Sequence, residues 1–247
     1  MALVFRALAF RYNRKTEVFA GLDLQIDSPA TVLLGPNGAG KSTLMALAAS
    51  QLAPTQGSLS WLGLSPDSRK NQARYRKAVA WIPQQIRPVP GLTVREQVAY
   101  AGWLKGLSRT AAWEASGQAL ERVDLVKLAD RKSHEVSGGQ LRRMGIAGAL
   151  THRSELILMD EPTAGLDPQQ RIVFRSLVEE LSDSLQVVVS THQTEDLADL
   201  YREVVVLSDG AVRFQGTTDA FHSLAGGTGS AQGLADAAYA QLVGREV

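Results

Sequence analysis

Gly35-Pro36-Asn37-Gly38-Ala39-Gly40-Lys41-Ser42, followed by Thr43, stands directly after the apolar run Thr31-Val32-Leu33-Leu34 and has the spacing G-x-x-x-x-G-K-S of a phosphate-binding loop. The stretch predicts a strand, a tight turn and a helix start, in that order. Glycines let such a loop curl its backbone N–H groups inward around phosphate oxygens without Cβ clashes. Lys41 is then placed to reach the β- and γ-phosphates of a nucleoside triphosphate, and Ser42 to ligate Mg²⁺. The helix that opens at Ser42 and continues through Leu44 and Leu47 turns the positive end of its dipole toward the same phosphates.

Outward from this loop, the composition narrows the possibilities. The chain of 247 residues has room for one large domain or two small ones, and 45% hydrophobic with 21% charged residues is ordinary for a globular protein. A net charge of +1 gives no basis for expecting a nucleic-acid partner. The absence of cysteine excludes disulfides and thiolate metal sites. Arg6 and Arg11 interrupt the first residues before a signal-peptide core could form, and no apolar run approaches the ~20 residues of a membrane span. Any membrane role is therefore expected to rely on spans supplied by another chain.

Residues 3 to 26 read as two strands around a turn at Asn13-Arg14-Lys15, because Leu22, Leu24 and Ile26 alternate with Asp23 and Gln25. The short apolar runs Leu156-Ile157-Leu158-Met159 and Val187-Val188-Val189 are expected as strands buried on both faces, the mark of a parallel sheet covered by helices. Val204 to Leu207 and Ala211 to Gln215 read as a closing hairpin about Ser208-Asp209-Gly210. Between about 87 and 150 the periodicity turns helical. Thr93-x-x-Glu96 has capping-box spacing ahead of Val94, Val98, Ala101 and Leu104, and a second helix over about 109 to 123 has Trp113, Leu120 and Val123 as its apolar side. Gly226 to Gly233 is expected as a linker before a short helix at about 234 to 242.

Asp160-Glu161 closes an apolar strand, and open parallel sheets present ligand-binding groups at the carboxyl ends of their strands. Asp160 is expected to hold the Mg²⁺ shell opposite Ser42, and Glu161 to polarise the attacking water as a general base. Ser137-Gly138-Gly139-Gln140 opens another helix, with Ser137 as its N-cap, giving a second terminus suited to an anion. One triphosphate cannot easily use two such termini from a single domain.

Val136-Ser137-Gly138-Gly139-Gln140 resembles the signature motif of the ATP-binding cassette (ABC) ATPases, and the family's other motifs follow in its order over residues 3 to 222. The resemblance implies that the signature of one cassette closes over ATP held on the phosphate loop of another, hence a dimer with an identical or a different cassette. It implies that Tyr12 stacks on adenine and that Gln84 reaches Mg²⁺ and the water and reports occupancy to a membrane partner. It also implies that Asp167 lies in a loop crossing the dimer interface and that His192 contacts the γ-phosphate. Tyr12 could otherwise be a half-buried strand residue, and Asp167 could simply start the helix after Pro168. Val136 and Met159 depart mildly from the family pattern.

The class expected is α/β, a P-loop NTPase core with a parallel sheet, an antiparallel flank and an inserted helical subdomain over about 87 to 150. Residues 1 to 225 would form the nucleotide-binding domain, and 226 to 247 a linker and terminal helix. ATP and Mg²⁺ are the implied cofactors, an integral membrane subunit the implied partner, and the cytoplasmic face of the membrane the implied place. Gly91 to Glu96, Thr163 to Pro168 and the ending Tyr239 to Glu246 are similar to ATPase subunits of two-component exporters, although importer subunits share the first two. An importer subunit and a soluble ABC ATPase without transport remain the alternatives.

Overall fold

The computed structural model describes residues 2–197, 200–226 and 228–244. Its centre is β3 (Ala30–Leu34), the strand that feeds the glycine loop, flanked in parallel by β7 (Gln186–Thr191) and β8 (Glu203–Ser208). Beyond β7 come β6 (Leu156–Asp160) and β5 (Val79–Ile82), and beyond β8 lies antiparallel β9 (Ala211–Thr217). The six-stranded order is β5-β6-β7-β3-β8-β9. The expected parallel sheet is thus mixed, because the tight Asp209-Gly210 turn returns β9 as a hairpin, Asp209 at φ 50° and Gly210 at φ 68°.

Alternation along these strands feeds two cores. Val32, Leu34, Ile157, Met159, Val187, Val189, Val204 and Val206 belong to one, and Leu33, Leu156, Leu158, Val188, Val205 and Leu207 to the other. Such a strand must be apolar at every position, which is why the runs show no polar alternation. The first core is closed by α3 (Val94–Leu104), α4 (Arg109–Arg122), α5 (Gly138–Thr151), α6 (Pro168–Ser182) and α8 (Ala231–Val243). The second is closed by α1 (Lys41–Ala48) and an antiparallel sheet of β2 (Thr16–Ile26), β1 (Leu3–Asn13) and β4 (Gln56–Trp61). Asn13 Oδ1 accepts from the N–H groups of Lys15 and Thr16 and makes the β1–β2 turn.

The helices begin where the caps place them. Thr93 and Glu96 form the expected capping box of α3, and Ser108 caps α4 through Ala111 N. Trp113 is nevertheless 44% exposed, because the buried stripe of α4 runs through Ala112, Ser116, Ala119 and Leu120, one position away. The Arg95 guanidinium covers its ring at 4.1 Å. Leu104 is likewise exposed, and Gly102 takes the buried place, where a Cβ would stand 2.5 Å from Thr151 Cγ2. Helix α2 (Arg69–Ala78) was not expected, since Tyr75 is its one buried residue and leaves no apolar period to read. Helix α8 starts at Ala231, earlier than expected, because Ser230 caps it by accepting from Gly233 N. Helix α7 (Thr218–Ser223) connects it to β9. Arg245 and Glu246 of the exporter-like ending lie outside the described residues.

Candidate functional site

The glycine loop leaves β3 at its carboxyl end, in the middle of the sheet. Gly35 is fixed there by space, since a Cβ would come within 2.2 Å of the Leu207 carbonyl oxygen on β8. Gly38 and Gly40 have φ of 85° and 101°, so the loop takes the left-handed turns that glycine permits. No side chain caps the first turn of α1, which leaves its N–H groups for an anion. Ser42, on that turn, is exposed.

Lys41 is buried, and its Nζ donates to the carbonyls of Gly35 at 2.6 Å and Pro36 at 3.0 Å. It stands 3.7 Å from Glu161 Oε1. Burial lowers its pKa, and the carboxylates of Glu161 and Asp160 act against that fall. The ammonium is thus drawn inward onto the loop itself.

The two acids stand at the end of β6. Asp160 pairs in register with Ser190 of β7, whose hydroxyl donates to Asp160 Oδ1 at 2.5 Å. Glu161 has φ 47°, an uncommon backbone state for a residue with a side chain. Its N–H is held by Ser190, at 3.1 Å from both the carbonyl and the hydroxyl oxygen. That turn directs the carboxylate to His192, whose Nδ1 donates to it at 2.7 Å. The carboxylate as acceptor assigns the proton to Nδ1.

Lys41, Asp160, Glu161 and His192 are therefore one cluster, with Ser190 tying its strands. Tyr12 is exposed near the start of α1: its hydroxyl lies 3.1 Å from Thr43 Oγ1, and its ring sits edge-on to Phe10 at 5.0 Å. Gln84 is exposed on the loop after β5. Arg142 of α5 reaches that loop and donates to the Pro83 carbonyl at 3.2 Å, while the charges of Asp160 and Glu161 partly offset the lowering of its pKa by burial.

Ser137, Gly138, Gly139 and Gln140 lie apart from the cluster, joined to it by no hydrogen bond or ion pair among the described residues. Ser137 and Gln140 close a capping box on α5, and Gly139 abuts α6, where a Cβ would meet Gln170 Oε1 at 2.6 Å. Asp167 caps α6 by accepting from Gln170 N at 2.8 Å, the helix-start role that its sequence setting also allowed.

Oxygen donors suit Mg²⁺, which takes one or two carboxylates plus phosphates in place of an all-protein cage. Ser42 and Asp160 are such donors, and the described residues hold no group of three or more His, Asp or Glu able to bind a metal. Ser190, Arg142 and Asp196 were missed by sequence reasoning. Ser190 carried a faint signal, standing two residues before His192; the others are brought in only by folding.

A glycine loop at the centre of a mixed sheet, two acids at the end of β6 one strand removed from it, and a separate antiparallel sheet define a P-loop ATPase cassette. The profile of the ABC transporter family matches residues 21–164, more than half of the sequence, and the chain belongs to that family. It is 33% identical over 190 residues to the uncharacterised ABC transporter ATP-binding protein YxlF of Bacillus subtilis, a match spanning 77% of this chain but 62% of YxlF. It is 32% identical over 220 residues to the linearmycin resistance ATP-binding protein LnrL of the same species, covering 88% and 70%. The energy-coupling factor transporter ATP-binding protein EcfA of Methanocaldococcus jannaschii is 35% identical over 215 residues, covering 85% and 77%. Among solved structures, cbiO1 of Clostridium perfringens, part of the ABC transporter complex cbiONQ, superposes with TM-score 0.77 at 26% identity, covering 90% and 93%. A dimeric bacterial ABC transporter cassette gives TM-score 0.77 at 25% identity, covering 87% and 98%.

Proposed function

We propose that this chain binds and hydrolyses ATP as the nucleotide-binding subunit of an ABC transporter and moves cargo outward through a separate membrane subunit. The observation that carries this reading is the convergence of Lys41, Asp160, Glu161 and His192 at the mouth of the glycine loop. Residues 1 to 225 are assigned to the cassette, with α3 to α5 as its inserted helical part, and the segment from 226 on to a linker and a terminal helix, α8, that packs back on the first core.

In this reading the loop from Gly35 to Thr43 cradles the phosphates, and Lys41 exchanges the carbonyls of Gly35 and Pro36 for phosphate oxygens. Tyr12 stacks on the adenine. Ser42, Asp160 and Gln84 hold Mg²⁺, which neutralises charge on the phosphates when bound. Glu161 orients the attacking water and takes its proton as the bond from the γ-phosphorus to the departing ADP oxygen breaks. His192 contacts the γ-phosphate by donating a ring N–H, the Nδ1 proton that Glu161 holds before nucleotide arrives.

The signature Ser137 to Gln140, which shares no hydrogen bond or ion pair with its own catalytic cluster among the described residues, serves the site of a second cassette, with Asp167 at that interface. The dimeric form of a similar cassette supports this pairing. A cleft of about 240 Å³ between β5 and the helical part, lined by Gln51, Trp81, Gln97, Ala101 and Lys105, is suited to a short helix of the membrane subunit. Tyr100 and Trp103 stand exposed nearby on α3, stacked at 5.7 Å. No described helix is long and apolar enough to cross a membrane. In the proposed assembly the spans are the partner's, and the cassette works at the cytoplasmic face of the membrane.

Relation to LnrL, named for resistance to linearmycin, favours export; relation to EcfA favours import as the second reading. The test is co-purification of the chain from detergent-solubilised membranes with Mg-ATPase assays of chain and complex. A polytopic partner that alters turnover supports the proposal, and an active chain with no membrane partner contradicts it. Transport assays with that partner, in inverted and right-side-out vesicles, then decide direction.

A further inference from the structure

Asp196 lies in a short 3₁₀ turn, Thr194–Asp196, and is 3% exposed. Its Oδ2 accepts two hydroxyl hydrogen bonds, from Thr163 Oγ1 at 2.6 Å and from Thr191 Oγ1 at 2.7 Å. Thr163 is two residues beyond Glu161, and Thr191 immediately precedes His192. The other oxygen, Oδ1, has no hydrogen-bond partner among the described residues and faces Arg171 Nη1 at 4.0 Å. Arg171 in turn donates from Nε to the carbonyl of Leu166, next to Asp167.

A carboxylate this buried is costly unless its oxygens are met by donors or a cation, so its retention in a loop calls for a reason. Here both hydroxyls converge on a single oxygen, which fixes the distance between the loop after β6 and the end of β7. The ladder between β6 and β7 ends at the pair Asp160 and Ser190, leaving Glu161 and His192 just outside it. Past that point, Asp196 receives one side chain from the loop after β6 and one from Thr191, the last residue of β7. Hydrogen bonds to a charged acceptor are shorter and stronger than neutral ones, which suits a brace that must hold while the neighbouring groups exchange partners.

We propose that Asp196 is a positioning residue that holds Glu161 and His192 at their working separation by bracing Thr163 against Thr191. It rests on the hydrolytic reading of Glu161 above. Asp196 itself touches neither acid nor imidazole by any hydrogen bond or ion pair, and acts through the two threonines.

The test uses near-isosteric Thr163→Val and Thr191→Val, which remove the hydroxyls while keeping the volume, together with Thr191→Ser and Asp196→Ala. The full chain is assayed for steady-state hydrolysis, for ATP binding by calorimetry and for thermal unfolding. Small misplacements at a reacting centre cost up to about 100-fold in rate, so the double valine variant is expected to lose about 10- to 100-fold in kcat with ATP affinity changed less than about twofold. Thr191→Ser is expected to recover most of the loss caused by Thr191→Val. In a His192→Ala background the loss caused by Asp196→Ala should shrink to about twofold or less, because residues acting as a unit are not additive. A folded double valine variant with normal turnover overturns the proposal, as does an undiminished Asp196→Ala effect in the His192→Ala background. Should Asp196→Ala fail to fold, the valine variants alone decide. Glu161→Gln is the separating control: if it keeps full turnover the hydrolytic reading and the brace fall together, whereas an inactive Glu161→Gln beside fully active valine variants removes the brace alone.

Discussion

His192 Nδ1 stands 2.7 Å from a carboxylate oxygen of Glu161, so that two residues 31 apart in sequence form one hydrogen-bonded pair across adjacent strand ends. The same carboxylate is 3.7 Å from Lys41 Nζ. A group shared between an imidazole and an ammonium is held ready but is also engaged, and an arriving nucleotide must draw both partners toward its phosphates. Glu161 would then be free to meet water.

If so, Glu161→Gln keeps the shape and loses the base. Its turnover is expected to fall about 10²- to 10⁴-fold, the range usual for a positioned general base, with ATP binding retained and a closed dimer accumulating. Steady-state phosphate release and size-exclusion chromatography with ATP check this; undiminished release would contradict the role.

Lys41→Ala removes a buried cation from the phosphate loop and leaves Glu161 without it. Hydrogen bonds to charged groups contribute about 1.5–3 kcal/mol, so ATP affinity is expected to drop by at least about 10-fold. Calorimetric titration measures it, and binding at the parent strength would set aside the loop assignment.

Gly35→Ala tests the fold beneath the site. The added methyl would meet the Leu207 carbonyl at 2.2 Å, and a central strand cannot move away cheaply. A loss of about 1–3 kcal/mol in unfolding free energy, typical of overpacking, is expected together with weaker ATP binding. A urea midpoint equal to that of the parent would show the backbone yielding freely.

Tyr12 is exposed, and its hydroxyl meets Thr43 Oγ1. If the ring stacks on adenine, Tyr12→Ala weakens ATP by about 1 kcal/mol or more, whereas Tyr12→Phe stays close to parent. Equal losses in both variants would instead locate the effect in the hydroxyl.

His152, buried at the end of α5 with Nδ1 3.1 Å from the Lys77 carbonyl, is pushed down to about 4 chiefly by desolvation, with the Lys105 charge adding to the shift. The folded state thus favours the neutral ring, and between about pH 6.5 and 4 the unfolded chain binds the extra proton. The stability from this group is complete above pH 6.5 and is lost as pH falls toward 4, by about 3 kcal/mol at full effect. Thermal melts from pH 4.5 to 7.5 should show a shallower acid slope for His152→Asn than for the parent. Parallel slopes would remove His152 from the acid transition.

Contiguous features were legible because their physics is local. A phosphate loop needs its glycines, lysine and serine in consecutive order, and strands buried on both faces must be apolar throughout, so β3, β6 and β7 announced themselves. The capping box of α3 and the Ser137 N-cap of α5 were equally plain, since cap and N3 lie within one turn; that Gln140 completes a box on α5 was seen only in the structure. Trp113 and Leu104 were misplaced because a helical stripe read from sequence is uncertain by one position, and one position moves a side chain by about 100° around the axis.

Residue order along the chain was enough to establish a P-loop ATPase cassette, to place Lys41 and Ser42 beside phosphate and to put two acids at a strand end. It could not show that Ser190 clasps both acids, that Arg142 reaches the loop of Gln84, or that Asp196 gathers Thr163 and Thr191 onto one oxygen. Those contacts join segments 5 to 59 residues apart, and they arise because the sheet order places β6 beside β7 and α5 against the loop after β5. Separation in sequence carries no such information: which strand ends meet is decided by how two apolar faces are buried at once.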